Sequence, residues 1–346
     1  MSKPHVDTSR MHVPATMERR SAAHAEMPAV LGLLASGDGL SGPDMARRLG
    51  ISRAAVWKQI AALREAGLDI DRGDAGYRLE RPLDRLDAGV VRSGLPVAVR
   101  QRIGKVENHW RLDSTSSECQ RRAAEFPDLS FVFADWQDAG RGRRGRQWVS
   151  PPATNLQFSC LKRFQAGYAS LSGLSLAVGV AAVGALADCG CGEVGLKWPN
   201  DLVRDDAKLG GILVELGGEF MGPCHAIIGI GINVRLPPAV RRMLDRPCTD
   251  IAGITGSAMP SRNALATALI ARLADAMDLF EISGFPAFLD AWSKHDALAG
   301  RVIRVEAPGG IFEGVAQGVD ARGALQMRCA DGVRSFDSAE VTVRGA

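Results

Sequence analysis

The hydrophobic period changes twice along this chain, and that change constrains its fold more than any other feature. From Glu26 apolar residues recur at helical spacing. Strand-like and helical runs alternate between about residues 106 and 295, and from about residue 297 apolar and polar residues alternate. These periods indicate a helical unit, a mixed unit of helices and strands, and a small all-β unit. A chain of 346 residues is long enough to bury a core in each.

Composition excludes several classes of protein. A hydrophobic share of 46% with 23% charged residues is typical of a folded chain, and a net charge of +3 does not by itself imply nucleic-acid binding. The seven cysteines form no C-x-x-C pair, so we predict that the chain has no zinc site. We also predict that the protein is cytoplasmic and that its thiols are reduced. The sequence has no long apolar run and no signal-peptide pattern, so neither a membrane segment nor export is predicted. The polar residues 1–25 are predicted to be a disordered leader.

The first unit, residues 26–80, is predicted to be a winged helix-turn-helix. After a first helix, a short helix fits Pro43–Leu49, and Ser52 is a good N-cap for a third helix over Arg53–Ala66. Leu68–Leu79 then has the pattern of a small hairpin. In this motif the helix after the turn lies in the major groove of DNA.

Positive charge collects on the second and third helices, at Arg47, Arg48, Arg53 and Lys58. DNA binding is the prediction that follows. Two alternatives stay open, because the following hairpin is acidic. A basic helix face is often only solvated, and small winged-helix modules also dock onto proteins.

Residues 81–105 are predicted to be a linker, 106–295 a mixed α+β domain, and 296–346 a small β-barrel. In the mixed domain, strand-like runs such as Leu156–Cys160 alternate with helical runs such as Ala169–Ala187. The second of these is rich in alanine and glycine, as expected for a helix packed closely on a sheet. The last 45–50 residues alternate with period two and contain glycine turns.

The most unusual stretch is Gly140–Arg146, which places four arginines within six residues and interleaves them with glycine. Glycine lets the backbone approach a ligand, and guanidinium groups bind carboxylate or phosphate in a bidentate manner. The stretch also matches the G-x-G-x-x-G dinucleotide fingerprint, but Pro151 and Pro152 oppose the helix which that site requires. An arginine-rich nucleic-acid patch is a further alternative. An anion-binding loop between two strands is the better account.

Three other segments are candidate site elements. Lys197–Asp201 places a lysine before a stiff Trp-Pro turn, which suits a point charge held against phosphate or carboxylate. Asp113–Ser117 offers hydroxyl groups at a helix start, and Gly229–Asn233 ends a strand with small residues. Each also has a plain structural interpretation: a surface lysine and turn, a helix cap, or ordinary close packing.

Together and in this order, these segments resemble biotin protein ligases. Gln137 and Lys208–Glu215 extend the likeness, which covers about residue 27 to the end of the chain. It includes the bifunctional bacterial type, whose winged helix represses biotin operons: Gly50–Ala55 looks like the entry to its recognition helix, and Gly76-Tyr77 looks like its wing. The resemblance implies an α+β chain with a class II synthetase-like central domain and a C-terminal SH3-like β-barrel.

The resemblance also implies roles for single residues. Ser114, Thr115 and Gln137 would bond the ureido ring of biotin. Arg141 and Arg143 would hold the carboxylate, and Lys197 would neutralise charge between it and the α-phosphate of ATP. The catalytic residues would be Lys197 and Arg143. The biotin set would be Ser114, Thr115, Ser116, Gln137, Arg141, Gly142, Arg143, Lys197 and Gly211. The ATP and adenylate set would be Arg141, Arg143, Arg146, Trp148, Asn155, Lys197, Asn233, Glu340 and Arg344. The DNA set would be Arg47, Arg48, Ser52, Arg53, Trp57 and Lys58.

The implied enzyme is an AMP-forming biotin–[acetyl-CoA-carboxylase] ligase that uses biotin and ATP as substrates, with Mg²⁺ carried by ATP rather than by a protein metal site. Its implied partners are a biotin carboxyl carrier protein, operator DNA, and a second copy of itself when adenylate is bound; no membrane is implied. Two residues depart from the family pattern: Ser116 stands where asparagine is more common, and Trp57 occupies a usually polar position. A non-repressing winged helix, a lipoate-type ligase, a DNA-binding sensor without ligase activity and a nicotinamide oxidoreductase remain alternatives.

Overall fold

The computed structural model describes residues 26–37 and 39–343, and of residues 340 and 343 it describes only the backbone. The predicted leader, the side chain of Glu340 and the whole of Arg344 therefore lie outside the described residues.

The N-terminal unit is the predicted winged helix-turn-helix. Its elements are α1 (Ala29–Leu34), α2 (Gly42–Leu49), α3 (Arg53–Glu65), β1 (Ile70–Gly73) and β2 (Gly76–Leu79). Ser41 and Ser52 cap α2 and α3 by accepting hydrogen bonds from backbone N–H groups three residues on. Between the two helices, Gly50 adopts a φ of 64°, which glycine reaches without a steric penalty. Val56 and Ile60 bury the inner face of α3.

The predicted linker is wrong. Residues 81–105 contain two helices, α4 (Ala88–Gly94) and α5 (Val97–Arg102), and their apolar side chains join the core of the central domain. Val91 on α4 and Val99 on α5 are buried, and so are Leu95 and Ile103, which directly follow the two helices. The segment is therefore part of the central domain rather than a spacer.

A seven-stranded mixed sheet forms the central domain. Its strands are β3 (Val106–Leu112), β4 (Ser130–Gln137), β5 (Asn155–Phe164), β6 (Gly195–Lys197), β7 (Asp201–Arg204), β8 (Ala207–Gly218) and β9 (Cys224–Asn233). Their spatial order is β3-β4-β5-β9-β8-β7-β6, with β3 and β4 parallel and all other neighbours antiparallel. The helices are α6 (Thr115–Arg121), α7 (Leu174–Asp188), α8 (Pro238–Met243), α9 (Ile251–Thr255), α10 (Arg262–Ser283) and α11 (Leu289–Lys294).

The two faces of this sheet have different coverings. Phe158 and its alternate neighbours on β5 pack in the large core that includes α7 and α10. Leu161 belongs to a separate small core with Cys119 of α6 on the opposite face. Because side chains alternate across a strand, Gln157 and Ser159 lie on the α6 face too. The polar alternation along β5 therefore leaves room for a polar site beside α6.

The C-terminal unit is the predicted all-β unit, and its sheet has five antiparallel strands in the order β13-β12-β11-β10-β14. The strands are β10 (Val302–Ala307), β11 (Gly310–Val319), β12 (Leu325–Cys329), β13 (Gly332–Phe336) and β14 (Glu340–Val343). The sequence did not predict β13, because only Phe336 of that strand is buried and apolar alternation is lost. Trp198 of the central domain donates from Nε1 to the carbonyl of Gly323, 3.0 Å away, and so ties the two units together. None of the helices described here is both long and apolar enough to cross a membrane.

Candidate active site

A cavity of about 180 Å³ lies beside α6, between the ends of β4 and β6 and the glycine-bearing parts of β8 and β9. It brings together segments that are far apart in sequence, from Ser114 to Val341. The predicted site residues that line it are Ser114, Thr115, Ser116, Gln137, Arg141, Gly142, Arg143, Arg146, Trp148, Lys197, Gly211 and Asn233.

Hydroxyl and amide groups form one end of this cavity. The backbone N–H of Thr115 donates to Oε1 of Gln137, 2.7 Å away, which joins the start of α6 to the end of β4. The hydroxyls of Thr115 and Ser116 lie 2.8 and 2.9 Å from the hydroxyl of Ser159, which sequence reasoning missed. A Cβ atom on Gly229 would lie 3.0 Å from the Ser116 hydroxyl, so a glycine on β9 lets these groups approach the sheet.

Two further polar residues belong to this end. Ser114 caps α6, which is the helix-cap role that the sequence also allowed for this segment, and it lines the cavity as well. Gln157 was not predicted: its Nε2 donates to the carbonyl of Ala134, 2.7 Å away, while its buried Oε1 has no hydrogen-bond partner among the described residues. The alternation of Gln157 and Ser159 with apolar residues along β5 was the signal that could have found both.

The arginine-rich segment folds into a tight hairpin. The N–H of Gly142 donates to the carbonyl of Arg146 at 2.7 Å, and the N–H of Trp148 donates to the carbonyl of Gly140 at 2.8 Å. Arg144 turns the chain with a φ of 55°. The backbone at Arg146 is extended and no helix begins there, so the segment lacks the helix N-terminus that a dinucleotide fingerprint supplies.

Two arginines of this hairpin are held from other parts of the fold. Arg141 donates to the carboxylate of Glu215 on β8, with 2.8 Å between the atoms. Arg143 donates to the side-chain oxygen of Asn200 at 3.3 Å and to the hydroxyl of Ser338 at 3.0 Å. The guanidinium groups are therefore placed over the cavity by the sheet, by the turn after Lys197 and by the C-terminal unit.

Lys197 is the last residue of β6, and the peptide bond between Trp198 and Pro199 that follows is cis. Burial lowers the pKa of the Lys197 ammonium group, and the carboxylates of Asp201 and Asp206 act against that shift. Desolvation disfavours a positive charge, so an anion bound in the cavity would stabilise the charged form. This lysine can therefore contribute a localised positive charge to a reaction between anions.

The indole ring of Trp148 lies directly against β9. A Cβ atom on Gly231 would lie 2.6 Å from Cε2 of that ring, so only glycine allows the contact. Asn155, predicted to contact adenine, is fully buried and does not line the cavity; its Nδ2 donates to the carbonyl of Val149, 3.2 Å away. Asn155 thus orients the segment that follows Trp148, and its contact with adenine stays a prediction.

Other charged residues lie at the end of the cavity opposite the hydroxyl groups, and the sequence assigned them no role. Lys208 pairs with Asp201 at 2.5 Å, and Arg246 lies 4.0 Å from the same carboxylate. Asn233 holds this end together by donating to the carbonyls of Lys208 and Thr249. Arg246 lies in a loop without a regular period, so no sequence pattern indicated it. Among the described residues, no group of three or more histidine, cysteine or acidic side chains is placed to hold a metal ion.

Comparison with known proteins gives the family. Residues 98–233 match the biotin/lipoate A/B protein ligase family, residues 29–78 match an HTH domain, and residues 299–344 match the biotin protein ligase C terminal domain. The chain is 35% identical to the bifunctional ligase/repressor BirA of Salmonella typhimurium, over 92% of this chain and 97% of that protein. The chain belongs to the biotin protein ligase family. The BirA protein of Escherichia coli is 34% identical over the same shares of the two chains.

Solved structures agree with this ligase fold. Biotin protein ligase from Aquifex aeolicus, in complex with biotin and ATP, superimposes with a TM-score of 0.60 at 24% identity and covers 70% of this chain and 99% of its own. Because the identity is low, this likeness supports the fold alone. The HTH match and the BirA relatives make the N-terminal unit of the ligase a repressor-type domain.

The residues predicted to contact DNA all lie on the surface of that domain. They belong to α2 and to the beginning of α3, and Arg47 is also paired with Asp44 at 3.1 Å. All six residues of the set are exposed, namely Arg47, Arg48, Ser52, Arg53, Trp57 and Lys58.

Proposed function

We propose that this ligase activates biotin with ATP to form biotinyl-5′-AMP, and then transfers the biotinyl group to a lysine of a biotin carboxyl carrier protein. We further propose that the adenylate-bound chain dimerises and represses biotin genes in the cytoplasm. The observation that supports ligation most strongly is the single cavity shared by the hydroxyl cluster, the arginine hairpin and Lys197.

Biotin has a polar ureido ring at one end and a carboxylate at the other, and the cavity has matching ends. The hydroxyls of Thr115 and Ser116 and the amide of Gln137 suit the ureido ring. A site built from such groups rejects a ligand that leaves them unpaired. At the other end, Arg141 and Arg143 suit the carboxylate and then the mixed anhydride.

Adenylation joins two anions. A carboxylate oxygen of biotin attacks the α-phosphorus of ATP, a phosphorus–oxygen bond forms, and pyrophosphate leaves with Mg²⁺ that entered with the nucleotide. The positive charges of Lys197 and Arg143 offset the repulsion between the two partners and stabilise the charge that builds at the α-phosphate. The ring of Trp148 and the amide of Asn233 line the same cavity and would hold the adenosine.

Transfer needs no nucleophile from the enzyme. The neutral amine of the carrier lysine attacks the biotinyl carbonyl, an amide bond forms, the amine loses a proton, and AMP leaves. The arginine hairpin stabilises the negative charge on the departing phosphate and keeps the anhydride bound until the carrier arrives.

The test supplies purified protein with ATP, Mg²⁺ and biotin, and measures pyrophosphate release and then biotinylation of a carrier domain. Lipoate replaces biotin in a parallel assay, because a lipoate-type ligase would prefer it. Absence of biotinylated carrier at saturating substrates would refute ligation. For repression, retardation of a promoter fragment from the organism's biotin genes is measured with and without adenylate, beside the mass of the protein in solution; no retardation in either state would refute it.

A further inference from the structure

Trp57 is exposed at the centre of the basic surface of α3, with 65% of its side chain accessible to solvent. The structure describes all six tryptophans of the chain, and the other five are buried or half-buried. Tryptophan is on average a highly buried residue, so its exposure here is unusual for a residue that serves only the fold.

The neighbours of Trp57 indicate the kind of partner. Arg53 lies one turn earlier on the same side of α3, and Lys58 follows directly; both are exposed. Within α3 the first acidic residue is Glu65, at its last position. This distribution complements a strongly negative partner, and duplex DNA is the densest such surface.

The shape of the helix fits that partner. Helix α3 has 13 residues, which corresponds to about 20 Å. Val56, Ile60 and Leu63 bury its inner face, so Trp57 and Arg53 lie on the face that is free to enter a groove. The major groove of B-form DNA is wide enough to admit an α-helix.

We propose that Trp57 recognises thymine in the operator by packing its indole ring against the C5-methyl group. This inference rests on the proposed repressor function and adds a specificity-determining residue to it. The thymine methyl is the one apolar group that a base edge offers in the major groove, and the indole ring is a broad apolar surface whose only polar atom is a single N–H donor. Arg53 and Lys58 supply phosphate contacts that do not depend on sequence.

The experiment first selects binding sites from random duplexes with the full-length protein in the presence of biotin, ATP and Mg²⁺. In the selected duplex each thymine is then replaced in turn by uracil, which removes only the methyl group. Affinity is measured for the wild type, Trp57→Ala and Trp57→Phe. Lys58→Ala serves as a phosphate-contact comparison, and Ile282→Ala as a control, because Ile282 is an apolar side chain 85% exposed on α10.

The expected result is at least one thymine whose replacement weakens wild-type binding about fourfold, the value for one methyl-sized apolar group. Trp57→Ala should be insensitive to that replacement, whereas Trp57→Phe and Ile282→Ala should remain sensitive. Lys58→Ala should weaken binding to all sequences and reduce its salt dependence.

Three outcomes overturn the inference in distinguishable ways. Suppose that the wild type selects a sequence, but that every uracil replacement changes the affinity of Trp57→Ala as much as that of the wild type. Then Trp57 does not recognise thymine, and the proposed repression stands. If the wild type enriches no sequence, the repressor function fails as well. A loss of carrier biotinylation in Trp57→Ala with unchanged DNA binding would instead assign the surface to protein docking.

Discussion

Arg143 donates a hydrogen bond to the hydroxyl of Ser338, 3.0 Å away, and this contact fastens the arginine hairpin of the central domain to the C-terminal sheet. The same guanidinium group reaches Asn200, beyond Lys197. Arg143 therefore links three parts of the chain that are distant in sequence. The C-terminal unit thus helps to position a residue predicted to hold the adenylate.

Ser338→Ala should speed the escape of biotinyl-5′-AMP roughly fivefold, because loss of one hydrogen bond to a charged group leaves the hairpin less firmly placed. Arg143→Gly should have a larger effect in the same direction. The measurement is the release rate of labelled adenylate from preloaded protein. Ser335→Ala is the control, since Ser335 lies on the same sheet but accepts from Gln326. Equal release from Ser338→Ala and wild type would contradict the assigned role of the contact.

The activity of the ligase should depend on the protonation of Lys197. Burial disfavours its charged form and lowers its pKa, so its charge is present below that pKa and is lost as the pH rises through it. The ratio kcat/KM for biotin, measured by pyrophosphate release, should therefore fall at a lower pH than an ordinary lysine would give.

Two substitutions at Lys197 complete this test. Lys197→Arg keeps its charge at every accessible pH, so the alkaline decline should disappear from its profile. Lys197→Ala should lose adenylation far more than biotin binding, since its charge matters most as charge builds in the transition state. An unchanged alkaline limb in Lys197→Arg would mean that another group titrates.

Gly231→Ala should displace the ring of Trp148, because the new Cβ would lie 2.6 Å from a ring carbon. We expect the KM for ATP to rise about tenfold or more, a loss comparable to overpacking by 1–3 kcal/mol. Gly184→Ala in α7 is the matched control: its nearest neighbour is 3.7 Å away, so it should leave the KM unchanged. A normal KM for ATP in Gly231→Ala would show that Trp148 does not shape the nucleotide site.

Asp135→Ala should destabilise the central domain by about 3–5 kcal/mol, because it leaves the charge of Arg262 buried without its partner. Both side chains are almost fully buried, at 0% and 1% exposure, and the Arg262 guanidinium also donates to the carbonyls of Asp84 and Asn155. Asp188→Ala breaks the exposed pair with Arg272 and should cost about 1 kcal/mol or less. Urea denaturation of the two variants provides the comparison; equal losses would mean that Asp135 is not the counter-charge that Arg262 requires.

Patterns within short stretches of the sequence predicted much of the fold. Ser52 and Gly50 marked the recognition helix because capping and a positive φ are decided within a few residues. Conversely, the linker prediction failed although Val91 and Leu95 have helical spacing. Short helices gain their stability from packing, and only the packing of α4 against α10 shows what this segment covers.

The sequence by itself determined the family, the three units and the chemical character of the site, because motif residues and periodic patterns are local. Only the tertiary structure decided which groups meet: Ser159 under Thr115 and Ser116, and Ser338 against Arg143. Such contacts join residues that are tens to hundreds of positions apart. Their partners are set by how sheets and helices pack in space, and no spacing along the chain encodes that.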